Sequence, residues 1–273
     1  MMNSAQSSST RRLAISLLLV TILASCATAS RAPAAAVSDL APTGKLRAAI
    51  NFGNPILAAR DASGGEARGV SVDLSRELAR RLGVPLELVT YDAAGKVVAA
   101  LKSGAWDVAY LAIDPVRAGE ISYSAAYVVI EGAYLVRQDS PIRSNAEVDR
   151  MGVRVAAAAG SAYDLFLSRE LKQAKIVRAS TSQAVTDLFV AQALDVAAGV
   201  KQQLEADAKR IPGLRLLEGR FMVINQAMGT PKGRESGAKY LREFIEEMKA
   251  SGFVARALER HRIEGAAVAP PAS

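Results

Sequence analysis

The 273-residue chain contains one cysteine, Cys26, and one histidine, His261. A metal centre built on nitrogen and sulfur ligands needs several such side chains, and a disulfide needs two cysteines, so neither is expected. Aromatic residues make up only 5% of the chain, so a binding pocket has few ring faces to draw on. A Ser/His/Asp set, a Gly-rich phosphate loop ending in lysine and a dinucleotide fingerprint are all missing, and no cofactor is expected. His261 falls near the C-terminus among basic residues, where it reads as a helix-end residue rather than a general base.

What remains is an ordinary globular composition, with 50% hydrophobic and 22% charged residues. The net charge of +7 is spread among acids along helix-like segments, as in Arg76, Glu77, Arg80 and Arg81. That pattern describes a solvated helix surface rather than a stripe for nucleic acid.

The first thirty residues read as a targeting segment. Arg11 and Arg12 precede the apolar run 13–24, which is too short to span a bilayer and suits a secretory signal core. The run ends in Leu23-Ala24-Ser25-Cys26, which resembles the lipobox of bacterial lipoproteins. That resemblance implies a signal peptide over 1–25 and a lipidated Cys26 as first mature residue, anchored to a membrane in the cell envelope. A plain signal peptide cut near Ala29 is the alternative. Without Arg11 and Arg12, 32 basic and 27 acidic residues leave +5. Residues 26–43, rich in Ala, Ser, Thr and Pro, are expected to be a flexible tether, and 265–273 a disordered tail.

Between these ends, strand and helix patterns alternate. Strands are expected at 45–51, 86–90 and 106–112, with an amphipathic helix over 72–82 whose Leu74, Leu78 and Leu82 recur every four residues. Gly83 then stops that helix. A second set follows: strands at 153–157, 174–177 and 196–200, with helices at 161–171 and 182–194. A strand at 221–228 and helices at 235–249 and 253–261 close the chain. Such alternation predicts an α/β fold with parallel strands and crossover helices.

Five blocks, taken in order, resemble the periplasmic solute-binding proteins that serve amino-acid-type ABC transporters (family 3). They are Gly69-Val70-Ser71-Val72-Asp73-Leu74, then Leu101-Lys102-Ser103-Gly104-Ala105-Trp106-Asp107-Val108, then Asp114-Pro115-Val116-Arg117 with Ile121-Ser122-Tyr123-Ser124-Ala125-Ala126-Tyr127. Gly152-Val153-Arg154-Val155 leading to Gly160-Ser161, and Pro231-Lys232-Gly233, complete the set. The resemblance spans 45–262. It implies a type II two-lobe fold, with lobe one over 44–134 plus 225–264 and lobe two over 138–221. Two crossings, at 134–137 and 221–225, would form the hinge. It further implies a monomer that closes on a small molecule and hands it to a permease of the inner membrane.

The resemblance also assigns site residues. Arg117 takes the place of the arginine that grips the ligand carboxylate, a role suited to a planar fork donating two parallel hydrogen bonds. Gly160 and Ser161 open a helix whose first N–H groups attract anions, although an ordinary serine cap reads the same way. Asn51, Phe52 and Asn54 follow the first strand, where Phe52 is either an aromatic wall or core. Tyr110 and Ala112 are pocket candidates, Tyr110 with packing as its alternative. The aspartate that pairs with an amino acid's ammonium is replaced by Val200, followed by Lys201. This departure disfavours zwitterionic amino acids and leaves Lys201 as a second anion-binding group, or as a strand-end residue facing water. Relatives that act as cyclohexadienyl dehydratases define the enzymatic alternative, with Asp114 or Glu131 as the acid. A lipid-anchored sensor is a third reading.

Overall fold

The computed structural model describes residues 32–60 and 64–272. Arg11, Arg12, the apolar run 13–24 and Cys26 lie outside the described residues.

The elements follow one another as α1 (Ala34–Leu40), β1 (Leu46–Asn51), the short pair β2 (Ala59–Arg60) and β3 (Ala67–Arg68), α2 (Val70–Leu82), β4 (Leu86–Tyr91), α3 (Ala94–Ala99) and β5 (Val108–Ala112). The long strand β6 (Ile121–Arg137) leads to β7 (Arg154–Ala158), α4 (Ala162–Glu170), β8 (Lys175–Ala179), α5 (Ala184–Ala191), β9 (Val196–Val200), α6 (Lys201–Arg210) and β10 (Leu214–Leu216). A second long strand, β11 (Met222–Pro231), is followed by α7 (Glu235–Ala250), α8 (Phe253–Arg260) and β12 (Ala267–Val268).

Two sets of parallel strands, β4-β1-β5 and β9-β7-β8, form the two lobes, and β11 and β6 run between them. The sheet is therefore mixed rather than parallel: β11 is antiparallel to β5 and to β6, and β6 is antiparallel to β9. Alternation along the chain predicts the crossover units but not the pairing of two long strands that carry no crossover helix. Strands β5 and β9 are buried at every residue, as strands covered on both faces must be. Within lobe one, Ala49, Val97, Trp106, Ala109, Leu111 and Ile121 form their own apolar cluster. The Trp106 indole there donates to the carbonyl of Val97 at 2.8 Å.

Register corrects the first hinge crossing. Gly132 to Leu135 of β6 already pair with β9, and Leu135 to Arg137 with β10, so residues 134–137 belong to the second lobe's sheet. The passage between lobes lies upstream, where Val128 to Gly132 pair with the opening half of β11.

Two other expectations are overturned. Residues 34–40 of the supposed tether form α1, whose Ala36 and Leu40 are buried. Asp39 fastens it, its carboxylate accepting from the Gly237 amide and its carbonyl from Arg234, both at 2.9 Å. Small residues that looked like linker composition instead let a short helix lie close against α7. The supposed tail likewise pairs through β12 with Val128 and Val129 of β6. Ala269 is buried, and Lys249 donates to the carbonyl of Pro270 at 2.8 Å. An open strand edge accepts any extended segment that reaches it.

Helix α2 buries Leu74, Leu78 and Leu82 as the four-residue spacing predicts, and Gly83 caps it with its N–H on the carbonyls of Ala79 and Arg80. Its outer face holds Glu77, which accepts from Arg80 and from Arg81. Arg81 in turn reaches Glu247 of α7. The hydrogen bond from Arg80, then that from Arg81, hold the Glu77 carboxyl down at about 2, against the opposing effect of its burial. Because the folded value lies below the ordinary 4.5, this group stabilises the fold above about pH 4.5. That contribution is lost as the pH falls towards 2. Melting curves between pH 6 and pH 2 are expected to show a steeper acid loss for the wild type than for Glu77→Gln. Parallel curves would dismiss the effect.

Candidate ligand site

The cleft between the lobes contains a cavity of about 30 Å³. Its walls come from the loop after β1, the head of α3, the end of β5 and the turn after it, the head of α4, the end of β9 and the long strand β11.

Arg117 stands in a single 3₁₀ turn after β5 and is 3% exposed. Its Nη1 donates to the carbonyl of Ala112 at 3.1 Å and its Nη2 to the carbonyl of Gly160 at 2.7 Å, the second bond joining the two lobes. Its Nε is buried without a partner. Burial lowers the pKa of the guanidinium, with Tyr123 and Asp114 acting against that shift. Burial likewise pushes the neighbouring Tyr123 hydroxyl up to about 12. Among the described residues, Arg117 hydrogen-bonds to no carboxylate and no acid lines the cavity. A buried cation held only by carbonyl dipoles keeps much of its desolvation cost, which an incoming anion would offset.

Asn51 and Asn54 line the cavity. The Asn51 Oδ1 accepts from the Gly53 amide at 2.9 Å, which fixes the loop. The Asn54 Oδ1 is buried without a partner. Ser161 lines the opposite wall and caps α4, its Oγ accepting from the Asp164 amide at 3.0 Å. Both readings of Ser161 thus describe one residue. The amides of Ala162 and Tyr163, in the first turn of α4, have no carbonyl behind them within the helix, and both residues line the cavity.

Gly160 enters the site with the opposite polarity from that expected. Its N–H is taken by the Asp164 carboxylate at 2.8 Å, and its carbonyl serves Arg117. Asp164 is held in turn by Arg178 Nε at 3.0 Å, so this carboxylate occupies the donor that an anion would have used. Ala112 lines the cavity and contributes its carbonyl.

Three predicted residues lie elsewhere. Tyr110 is buried away from the cavity, accepting from Ser75 Oγ at 2.9 Å and meeting Tyr127 edge-on at a ring separation of 6.1 Å. It shares a face of β5 with Ala112, but Ala112 ends the strand and borders the cavity, as does Leu111, while Tyr110 lies two residues further back. Phe52 lies under Arg60, whose guanidinium is 4.7 Å from its ring centre, and borders a separate surface groove. Its carbonyl nevertheless joins the cleft by accepting from Gln183 at 2.8 Å. Lys201 opens α6 and reaches Glu131 of β6 at 3.2 Å, and Glu131 also receives Arg220 at 2.7 Å. The cation that seemed to add positive charge to the site is spent at the back of the hinge. Val200, one residue earlier, faces the cavity.

The acids considered for a dehydration are also engaged outside the cavity. Asp114 accepts from the Val116 amide and from Arg169, both at 2.9 Å. The bonds from Arg220 and then Lys201 lower the pKa of Glu131, which disfavours it as a proton donor. Sequence reasoning missed Tyr163, Ser182, Ile224 and Gln226. Tyr163 donates to Ser182 Oγ at 3.0 Å and is the ring of the site. Its place two residues into the helix opened by Ser161 was the available signal; nothing local distinguished the others.

The sequence model for bacterial extracellular solute-binding proteins, family 3, matches residues 46–263. No curated protein matches the chain. Among solved structures, a mutant of ArgBP from T. maritima is similar over 84% of this chain and 100% of its own, at 22% identity and a TM-score of 0.72. The cysteine-binding protein of Campylobacter jejuni aligns over 82% of this chain and 92% of its own, at 18% identity and a TM-score of 0.70. An ancestral amino acid-binding protein, AncCDT-1, a precursor of cyclohexadienyl dehydratase, aligns over 82% and 98%, at 21% identity and a TM-score of 0.69. At these identities the likeness is one of fold. Among the described residues, no helix is long and apolar enough to cross a membrane.

Proposed function

Because the chain belongs to the bacterial extracellular solute-binding proteins of family 3, we propose that it captures a small carboxylate-bearing ligand lacking an ammonium group, and delivers it to the permease of an ABC transporter. One observation carries this reading: among the described residues, the single charged side chain lining the cavity is a buried arginine, and no acid lines it to receive an ammonium. The free N–H groups of Arg117 and of the first turn of α4 supply donors from both lobes. Such a ligand favours closure because contacts to both lobes exist only in the closed state.

A thermal-shift screen across carboxylates, amino acids and amines tests this directly. Carboxylates without an amine are expected to raise the melting temperature, and amines are not. A response confined to zwitterionic amino acids would refute the reading.

Val200 gives a second test, since it faces the cavity where an ammonium partner is missing. Val200→Asp is expected to turn the preference towards amino acids and to weaken binding of the simple acid at least tenfold, because two anions then share a small space. An unchanged ranking in calorimetric titration would mean that residue 200 does not read the ligand.

For location, we propose lipidation at Cys26. A Cys26→Ala variant is then expected in the soluble envelope fraction instead of the membrane pellet, and an unaltered pellet would reject the anchor.

A further inference from the structure

The lobes touch through the protein's own atoms at several separate points. The head of α3 meets the turn between β7 and α4, where a Cβ on Gly160 would lie 2.9 Å from the Gly95 Cα. Gln183 donates to the Phe52 carbonyl at 2.8 Å, and Arg117 to the Gly160 carbonyl at 2.7 Å. Each of these contacts has a neutral partner. One more differs in kind: Arg169, near the end of α4, donates to the Asp114 carboxylate at 2.9 Å. Among the described residues, it is the ion pair that joins the segment after β5 to a helix of the other lobe.

Asp114 is 3% exposed, and its two carboxylate oxygens have separate partners. One accepts from the Val116 amide and the other from Arg169. Its carbonyl accepts from the Ala118 amide at 2.9 Å, so the turn that carries Arg117 is built around it. Arg169 belongs to the helix whose first turn, at Ala162 and Tyr163, lines the cavity. The pair thus ties together two walls of the cleft, although neither member lines the cavity. With one partner buried and the other only partly in water, the attraction is stronger than for a pair held wholly in solvent.

We propose that Asp114 and Arg169 form a latch, an ion pair made only when the lobes meet, which holds them together. Both are positioning residues. They act on a guest through the turn of Arg117 and the head of α4, without touching it. Part of the free energy of closure then comes from the chain itself, and a ligand has less of it to supply. The latch assumes nothing about the guest, so it stands or falls separately from the carboxylate reading.

The experiment measures the distance between two spin labels on the full chain, one on each lobe, by pulsed electron paramagnetic resonance without added ligand. Lys102 precedes β5 and Lys175 opens β8, so both sit at strand ends away from the cleft, where hinge opening changes their separation. Labels are attached through Lys102→Cys and Lys175→Cys in a Cys26→Ala background, since Cys26 is the only other thiol. The chain with its latch intact is expected to show one narrow distance. Arg169→Gln should add a second, open population, raising the ratio of open to closed about fivefold, the upper end for a partly exposed ion pair. Identical distributions with and without Arg169 would overturn the latch, and so would an open distribution when Arg169 is present.

Glutamine suits a helix about as well as arginine does, so Arg169→Gln is expected to fold, with an unaltered circular dichroism spectrum. Salt supplies a test that needs no folded variant. Raising sodium chloride from about 0.1 M to about 1 M shortens the screening length from about 10 Å to about 3 Å. The open population should then grow in the chain that keeps Arg169 and stay constant in Arg169→Gln. Growth of the same size in both, or in neither, would show that charge does not hold the lobes, and the latch would fail.

Discussion

Arg117→Ala is expected to abolish ligand-dependent stabilisation. For the wild type, a ligand at 100 times its Kd adds about 2.7 kcal/mol, equivalent to about 5–10 °C in melting temperature for a domain of this size. In the variant that shift should vanish. Removing one partner of a buried, charge-assisted contact costs about 2–5 kcal/mol, a loss of about 30-fold or more in affinity. The apo protein experiences two opposing changes. The carbonyls of Ala112 and Gly160 lose their donor, and a buried cation no longer bears its desolvation cost. Arg117→Lys separates fork from charge: it keeps the cation but cannot serve two carbonyls and a carboxylate together. An intermediate shift is expected for it. A full ligand response in Arg117→Ala, measured by differential scanning fluorimetry, would place the anion site elsewhere.

Asp107→Ala is expected to cost the most in stability. Asp107 is fully buried and accepts four hydrogen bonds: three from the backbone and guanidinium of Arg47 at 3.1, 2.9 and 2.8 Å, and one from Arg234 at 2.9 Å. The Arg234 Nη1 also reaches the carbonyl of Asp39 in α1, so one carboxylate ties together β1, α1 and the segment before α7. Removing it leaves two partly buried guanidinium groups facing each other. Breaking a buried pair from one side costs about 3–5 kcal/mol, or about 6–20 °C in melting temperature. Asp107→Asn retains some acceptors and should lose less. A change below about 1 kcal/mol for Asp107→Ala in urea denaturation would show the cluster to be solvent-screened. The block in which Asp107 sits reads, in sequence, only as a family resemblance; its role as a junction is visible only in three dimensions.

The same division runs through the candidate site. Arg117 was singled out through the family resemblance, and the structure places it in a short turn after a buried strand, against the cavity. The missing acid at position 200 came from the same resemblance, and in the structure β9 ends there with Val200 lining the cavity. Lys201 was misread because one residue further along, the chain has become helix α6 and points at Glu131. Phe52 and Tyr110 were misread because each is a ring beside the site in sequence, and which way a ring turns depends on its neighbours. Arg60 covers one, and Ser75 with Tyr127 encloses the other. Gly160 does not offer its amide to a guest, since Asp164, four residues on, captures it.

By itself, the sequence determined most of the crossover strands and helices and the two α/β units, while the long strand β6, α6 and β10 went unassigned. The assigned elements follow from hydrophobic periodicity and residue type, which act over a few residues. Only the tertiary structure decided that 34–40 is a docked helix, that 267–268 completes a strand edge, and that the lobes meet at Gly95 and Gly160. Those outcomes depend on contacts between segments up to two hundred residues apart, such as Asp39 with Gly237. A contact of that kind is set by which face each element turns inward and by the register of the sheet beneath it, neither of which a local pattern encodes.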